Sequence, residues 1–405
     1  MQIKYIDDDP SKGIAYDWKK IKREYRKLSI PTGYYNPLKA DLSKCGYNIA
    51  LSDRSRGKTT DCIILGMIMN ALYGTVIHYI RTDKDTIAPR NIKALFATII
   101  DNGYIEKITN GRWNSCFYYG KRWYYCNLDD DGEMIEKSPI HFCICMSLDE
   151  SDRIKSSYNC PTGDIIIYDE FISFGGYGYS DFIRFADMIS TIFRKRLCCV
   201  AFLLSNTVDR NSPWFDEFCI RDIINTMDTG ESRYIETNDG TTIFIDILTP
   251  DETKHRKDAN RRFFGFINPK LAAITGKGIW ATDSYPHIVS VESHSEEEPE
   301  TKILHNRLFV RQSGKLVKLQ LVENKIGICV YVMPATRLYK DSIILVSSDI
   351  KDGREIFGFG ARESAIQLYW RMYRANRFYY ATNAEGALIK SFVRAVQDKQ
   401  RQMML

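Results

Sequence analysis

The stretch YNIALSDRSRGKTTDCIILGMIM, residues 47–69, constrains the fold more than any other part of the chain. The run YNIALS is apolar enough for a strand buried on both faces, and the run after Gly57 is continuous enough for a helix. A short polar loop must join them. Successive backbone N–H groups in such a loop, backed by the positive end of a helix, make a cradle for phosphate. The usual sequence is G-x-x-x-x-G-K-[ST], and here Ser52 stands in place of its first glycine. Gly57 keeps the close approach, Lys58 is positioned to reach the β- and γ-phosphates, and the Thr59 hydroxyl is positioned to ligate Mg2+. Ser52, Arg54, Ser55, Arg56 and Thr60 complete the expected cradle. The tripeptide Gly-Lys-Thr alone is weak evidence, and its place between strand and helix is what gives it weight.

A second buried run, GDIIIYDEF, ends in Asp169 and Glu170, about 110 residues beyond the loop. Acids at the C-terminal end of a strand lie where α/β proteins bind ligands. Asp169 is expected to hold Mg2+ through water, and Glu170 to polarise the attacking water as general base. The alternative is an acidic surface turn. A third run, LCCVAFLLSNT, brings Asn206 to the tip of a neighbouring strand, where it either senses the γ-phosphate or begins a turn. The loop and the acidic pair together predict ATP and Mg2+ as the bound species.

The 405-residue chain allows two or three domains. Strands are expected at 47–52, 75–81, 139–147, 164–168 and 197–205, with helices at 57–73, 84–101 and 181–195 and aromatic hairpins at the sheet edge within 104–137. After TIFIDIL (242–248) comes a charged helical pattern, 251–267, and then a polar loop, SHSEEEPETK, at 293–302. Strands at 307–311, 315–322, 326–333 and 343–347 and helices at 361–375 and 383–402 make a second α+β domain. The expected division is an ATPase domain over 1–250, with 1–33 as an N-terminal extension, a lid or linker over 251–284 and a C-terminal domain over 285–405. No run of about eighteen apolar residues is present and the N-terminus is charged, so neither a membrane span nor a secretory signal is expected. Eleven cysteines lack zinc-site spacing and read as reduced core residues. The net charge of +5 permits a polyanionic partner without requiring one.

YYNP (34–37), SDRSRGKT, YIRTDK (79–84), YDEF (168–171), TIFRKR (191–196) and LSNTVDRNSPWF (204–215) occur in an order that resembles the DNA packaging ATPases of the Picovirinae. These are minimal relatives of the large terminases among the ASCE P-loop ATPases. The resemblance covers residues 34–270 well and the C-terminal domain by length and element order. It implies a homomeric ring, a pentamer, that drives double-stranded DNA through a portal into a preformed procapsid in the host cytoplasm. The ring docks there transiently and is absent from the mature virion, and in relatives docking can run through an RNA scaffold. Arg54 lies where relatives carry a loop arginine, either on phosphate or coupled to Glu170. Arg194 aligns with the arginine that relatives insert into the neighbouring subunit's site. Lys84 aligns with a second basic group at the same interface, with Arg81 and Lys121-Arg122 as competitors. Without the resemblance, FRKR reads as a solvated helix end. Tyr35 and Pro37 either wall the adenine or form an aromatic turn packed on the sheet.

Lys254, Arg256, Lys257, Arg261 and Arg262 form a basic segment in the linker, a solvated helix face or a contact with DNA or the next subunit. In large terminases an RNase H-like nuclease occupies the C-terminal position, and its metals need carboxylates on adjacent strands. This chain offers Glu323 at a strand end and Asp349 and Asp352 in a turn pattern, so the expected domain is nuclease-like without the site. Lys390, Arg394, Lys399 and Arg401 on the last helix are candidates for phosphate contacts or a solvated face. Two other functions stay open: an active terminase nuclease, and an ATP-dependent assembly or recombination factor that does not translocate.

Overall fold

The structure is a computed structural model that describes residues 4–53, 55–151, 160–172, 180–194, 196–206, 212–249, 285, 302–312, 314–324, 327–335, 337–359 and 364–403. Arg54, the charged helical pattern at 251–267 with its five basic residues, the rest of the expected lid and most of SHSEEEPETK lie outside these residues. Two compact units are present. The first comprises 1–171, 182–207 and 226–279, and the second 172–181, 208–225 and 280–405. The segment 208–225, which chain order assigns to the first domain, belongs to the second unit.

The first unit is built on a nine-stranded sheet, ordered β3-β4-β5-β2-β6-β7-β1-β9-β8. Its strands are β1 (Tyr47–Ser52), β2 (Ile77–Arg81), β3 (Ser115–Tyr119), β4 (Arg122–Leu128), β5 (Met134–Ser147), β6 (Ile165–Asp169), β7 (Val200–Asn206), β8 (Ser232–Glu236) and β9 (Thr242–Ile247). Pairing is parallel from β5 through β2, β6, β7 and β1 to β9, and the two edges are antiparallel. The middle strands are apolar at successive positions because both faces are covered: Ile165 to Tyr168 in β6 are all 0% exposed. Strand β7 lies between β1, which leads into the loop, and β6, which ends in the acidic pair. All three therefore deliver their C-terminal residues to one edge of the sheet.

Helix α1 (Trp18–Lys27) is capped by Asp17, which accepts from the Lys20 N–H at 3.0 Å. Helix α2 (Lys58–Tyr73) runs between Gly57 and Gly74, both left-handed, and Cys62 to Met69 are buried throughout. At Gly66 a Cβ would stand 2.6 Å from Ile77 Cγ1, so the helix can lie this close to the sheet only with glycine there. The helix expected over 84–101 is instead a chain of short turns: Lys84–Ile87, Pro89–Ile92, Lys93–Phe96 and Ala97–Asp101. Pro89 explains the break, because a residue before proline is driven from helical backbone, and Ala88 is extended at φ −64°, ψ 148°. The aromatic segment opens with a helical turn, Tyr104–Ile108, before β3, β4 and β5 form the expected edge hairpins. Helix α3 (Asp181–Phe193) precedes β7.

The second unit has a six-stranded sheet, ordered β14-β13-β10-β11-β12-β15. Strands β10 (Lys302–Gln312), β11 (Lys315–Asn324) and β12 (Gly327–Pro334) form an antiparallel meander. The short strands β13 (Ile343–Val346), β14 (Glu355–Phe357) and β15 (Phe378–Tyr380) add in parallel. Helices α4 (Ser364–Arg374) and α5 (Asn383–Met403) close an apolar core in which Leu308, Leu319, Val332, Tyr369 and Phe392 are fully buried. No helix among the described residues is long and apolar enough to cross a membrane.

Candidate active site

Strand β1 ends at Ser52, and the loop that follows turns on two left-handed residues, Ser55 at φ 64° and Gly57 at φ 71°. Gly57 is required by space as well, since a Cβ there would stand 2.7 Å from Tyr34 Cδ1 and 2.9 Å from Asp61 Oδ2. Ser52 is buried, and its hydroxyl accepts from the Lys58 ammonium at 2.5 Å while donating to the Asp53 carbonyl at 2.7 Å. Lys58 also donates to that carbonyl, at 3.2 Å. The residue that departs from the usual motif thus holds the motif's lysine in place.

Burial lowers the Lys58 pKa to about 8, and attraction from Asp169 and Asp53 only partly offsets it. A polyphosphate restores the charge by pairing with it. ATP affinity is therefore expected to fall as pH rises above about 8, by up to tenfold per unit, because free enzyme then binds at the cost of a proton. Titration of nucleotide affinity between pH 7 and 9.5 checks this, and a Lys58→Arg variant, permanently charged, should give a flat profile.

Strand β6 presents Asp169 directly to the loop. The Thr59 hydroxyl donates to Asp169 Oδ1 at 3.0 Å, and the Tyr79 hydroxyl donates to Oδ2 at 2.8 Å. Burial, reinforced by Asp169, pushes the Tyr79 phenol well above its ordinary range, so it remains a proton donor. Arg81 forks across both acids, with Nη1 at 3.1 Å from Asp169 Oδ2 and Nη2 at 2.6 Å from Glu170 Oε2. Glu170 is half exposed and sits in left-handed backbone at φ 55°, a strained state for a residue with a side chain. Loop and acids enclose a cleft of about 420 Å³, with Ser55, Arg56, Gly57, Lys58, Thr59 and Thr60 on one side. Asp169, Glu170, Ser205 and Asn206 line the other. Asn206 is brought there by register, opposite Ser52 in the β7–β1 pairing.

Other expected residues are placed elsewhere. Tyr35 is 3% exposed, donates its N–H to the Arg56 carbonyl at 2.9 Å and packs in the core, with Pro37 buried beside it. A ring so enclosed has no free face for an adenine, which corrects that expectation. The neighbouring Tyr34, half exposed and against Gly57, is the aromatic residue that borders the loop. Lys84 begins a short 3-10 turn, donates its N–H to Asp149 Oδ2 at 3.3 Å and does not line the cleft. Arg194 ends α3 in left-handed backbone at φ 52° and likewise lies outside the cleft lining. Arg81, weighed as a group offered to a neighbouring subunit, is engaged with the acids of its own chain. Tyr79 went unpredicted, although the signal was there: alternation along β2 puts residues 79 and 81 on one side of a strand beside β6. Asp61 was also missed. Burial raises its pKa to about 8, and its Oδ2 has no hydrogen-bond partner.

Thr59 Oγ1 and Asp169 Oδ1 are hard oxygen donors in contact, and both residues line the cleft beside Lys58. That donor set fits Mg2+.

In the second unit two of the three acids considered for a nuclease, Asp349 and Asp352, are tied to basic partners, and so is a further acid, Glu355. Asp349 accepts from Lys399 at 2.6 Å, Asp352 pairs with Arg354 at 2.7 Å, and buried Glu355 pairs with Arg311. Glu323 faces Lys302 and Ile328 across neighbouring strands. Among the described residues, the one group of metal-type ligands is Asp164, Cys198 and Cys199 in the first unit, where Asp164 already accepts from Arg196 Nε and Tyr16 OH at 2.6 Å each.

No family model matches the chain, and no curated protein sequence matches it. Among solved structures, the fold is similar to the Phi-28 gp11 DNA packaging motor, with a TM-score of 0.53 at 14% identity over 91% of this chain and 99% of that one. It is also similar to the chain in the bacteriophage Phi-29 viral genome packaging motor assembly, with a TM-score of 0.51 at 16% identity over 90% and 100%. These likenesses establish a shared fold across both units.

Proposed function

We propose that this chain, which has the fold of phage DNA packaging motors, is an ATPase that works as a homomeric ring to drive double-stranded viral DNA through a portal into a procapsid. The observation that carries the reading is one cleft in which Lys58, the Thr59–Asp169 contact, Glu170 and Asn206 converge at the C-terminal edge of three adjacent strands. Fold similarity over nine-tenths of the chain supports the packaging role.

In this reading the loop N–H groups and Lys58 hold the β- and γ-phosphates, and Thr59 and Asp169 hold Mg2+. The ion, when bound, neutralises charge on the phosphate oxygens. Glu170 takes the proton of the attacking water, and Asn206 donates to the γ-phosphate from the strand tip. Arg194 and, as a second basic group, Lys84 act on the next subunit's cleft, while Arg54 contacts phosphate or couples to Glu170. The second unit is an RNase H-like domain without nuclease activity, a reading supported by the basic partners on Asp349, Asp352 and Glu355.

Arg81 is the cation that Asp169 and Glu170 share. Replacing it with alanine should destabilise the nucleotide-free protein by about 1–3 kcal/mol, because two neighbouring carboxylates lose their shared cation. Thermal melting checks this, and the deficit should shrink when Mg2+ and a non-hydrolysable ATP analogue are added. A deficit that persists undiminished would mean Arg81 is structural only. The function itself is tested by steady-state hydrolysis rates. Stimulation that requires both DNA and procapsid fits a packaging motor, and hydrolysis indifferent to both fits an assembly factor.

A further inference from the structure

One face of the second unit's sheet is covered by α4 and α5 and is apolar. On the other, Lys318 stands opposite Phe309 in the β10–β11 register and is only 7% exposed. Its ammonium lies 5.4 Å from the centre of the Tyr339 ring. The Arg307 guanidinium carbon lies 4.0 Å from the same ring centre and that of Arg337 5.5 Å. These three cations are balanced poorly. Among the described residues Lys318 has no carboxylate within ion-pair distance, and the Nη1 of Arg307 is buried with no acceptor. Among the described residues the one acid paired with the group is Asp341, 3.4 Å from Arg307 Nε and 68% exposed.

A buried ammonium without a counter-charge is costly, and a buried guanidinium N–H without an acceptor adds to that cost. An anion relieves both at once. Guanidinium forks match phosphate geometry, and a lysine beside them supplies a point charge. The Tyr339 phenol responds to the same field: Arg337, then Lys318, draw it below its ordinary range. We propose that Arg307, Lys318 and Arg337, gathered round Tyr339, form a site for a backbone phosphate of a nucleic acid. That the ligand is anionic follows from the geometry, and that it belongs to a nucleic acid rests on the motor reading above.

The test uses the full chain and fluorescence anisotropy with a labelled DNA duplex and an RNA duplex of equal length, across a salt series. Arg337→Ala removes an exposed member of the cluster, and Lys318→Met removes the buried charge at similar volume. Lys340→Ala removes an equal charge one residue beyond Tyr339 and serves as the comparison. Melting curves verify that each variant is folded. Arg337→Ala is expected to flatten the dependence of log affinity on log salt by about 0.9, the share of one phosphate, with Lys340→Ala leaving it unchanged. Loss with DNA alone identifies the transported duplex as the source, and loss with RNA alone identifies a structural RNA. An unchanged slope with both duplexes, an equal loss in Lys340→Ala, or a loss confined to a phosphopeptide probe would overturn the proposal. A wild-type chain that hydrolyses no ATP yet gives the slope change sinks the motor reading and leaves the phosphate site standing. The opposite pair of results sinks the site alone.

Discussion

An Arg194→Ala subunit should lose about three to five orders of magnitude in assembled-ring ATP turnover, the range observed when an arginine finger is removed. The expectation rests on where Arg194 sits. It closes α3 in left-handed backbone and is not among the residues that line its own chain's cleft. Supplied from a neighbour, its guanidinium would stabilise charge developing on the transferred phosphoryl group and tie hydrolysis to ring geometry. Mixed rings separate this from a folding defect. An Arg194→Ala subunit combined with a Glu170→Gln subunit contains one pairing in which an intact cleft meets an intact finger, so part of the turnover should return. Assembled mixed rings with no recovery would remove Arg194 from this role.

Glu170→Gln should leave ATP binding within about threefold of wild type and reduce turnover by about two to four orders of magnitude, the usual worth of a positioned general base. Glutamine keeps the side-chain shape, and its amide oxygen can still accept from Arg81 Nη2, which now lies 2.6 Å from Glu170. In the proposed reading the phosphate contacts belong to Lys58 and the loop, so ground-state binding should be untouched. What disappears is the ability to take a proton from water. Equal losses in binding and turnover would instead mean that Glu170 holds the ion or the loop.

The central strands were legible because burial on both faces leaves an unbroken apolar run, as in DIIIY and CVAFLLS, and each ended in the polar residues that now border the cleft. The loop was legible from its position between strand and helix, even with Ser52 in place of glycine. What sequence could not give was the use of Ser52: only the fold brings its hydroxyl onto the Lys58 ammonium. The motif YYNP left Tyr35 open between an adenine wall and a packed aromatic turn, because sequence does not say which of two adjacent tyrosines is turned inward, and its burial fits the packed turn. Arg81 misled for a related reason. Its spacing from Lys84 suggested a shared interface, whereas strand alternation beside β6 aims it at Asp169 and Glu170. The helix expected across Pro89 ignored the restriction that proline places on the residue before it. The segment 208–225 belongs with the second unit through contacts distant in sequence, which no local pattern records.

The central claim, that hydrolysis at this cleft moves DNA, is tested most directly by incubating procapsids, linear double-stranded DNA and ATP with the purified protein, then measuring nuclease-protected DNA. The account predicts full-length protected DNA with wild-type protein and ATP, and none with Glu170→Gln or with a non-hydrolysable analogue. Vigorous ATP hydrolysis by the wild type with no protected DNA would contradict it.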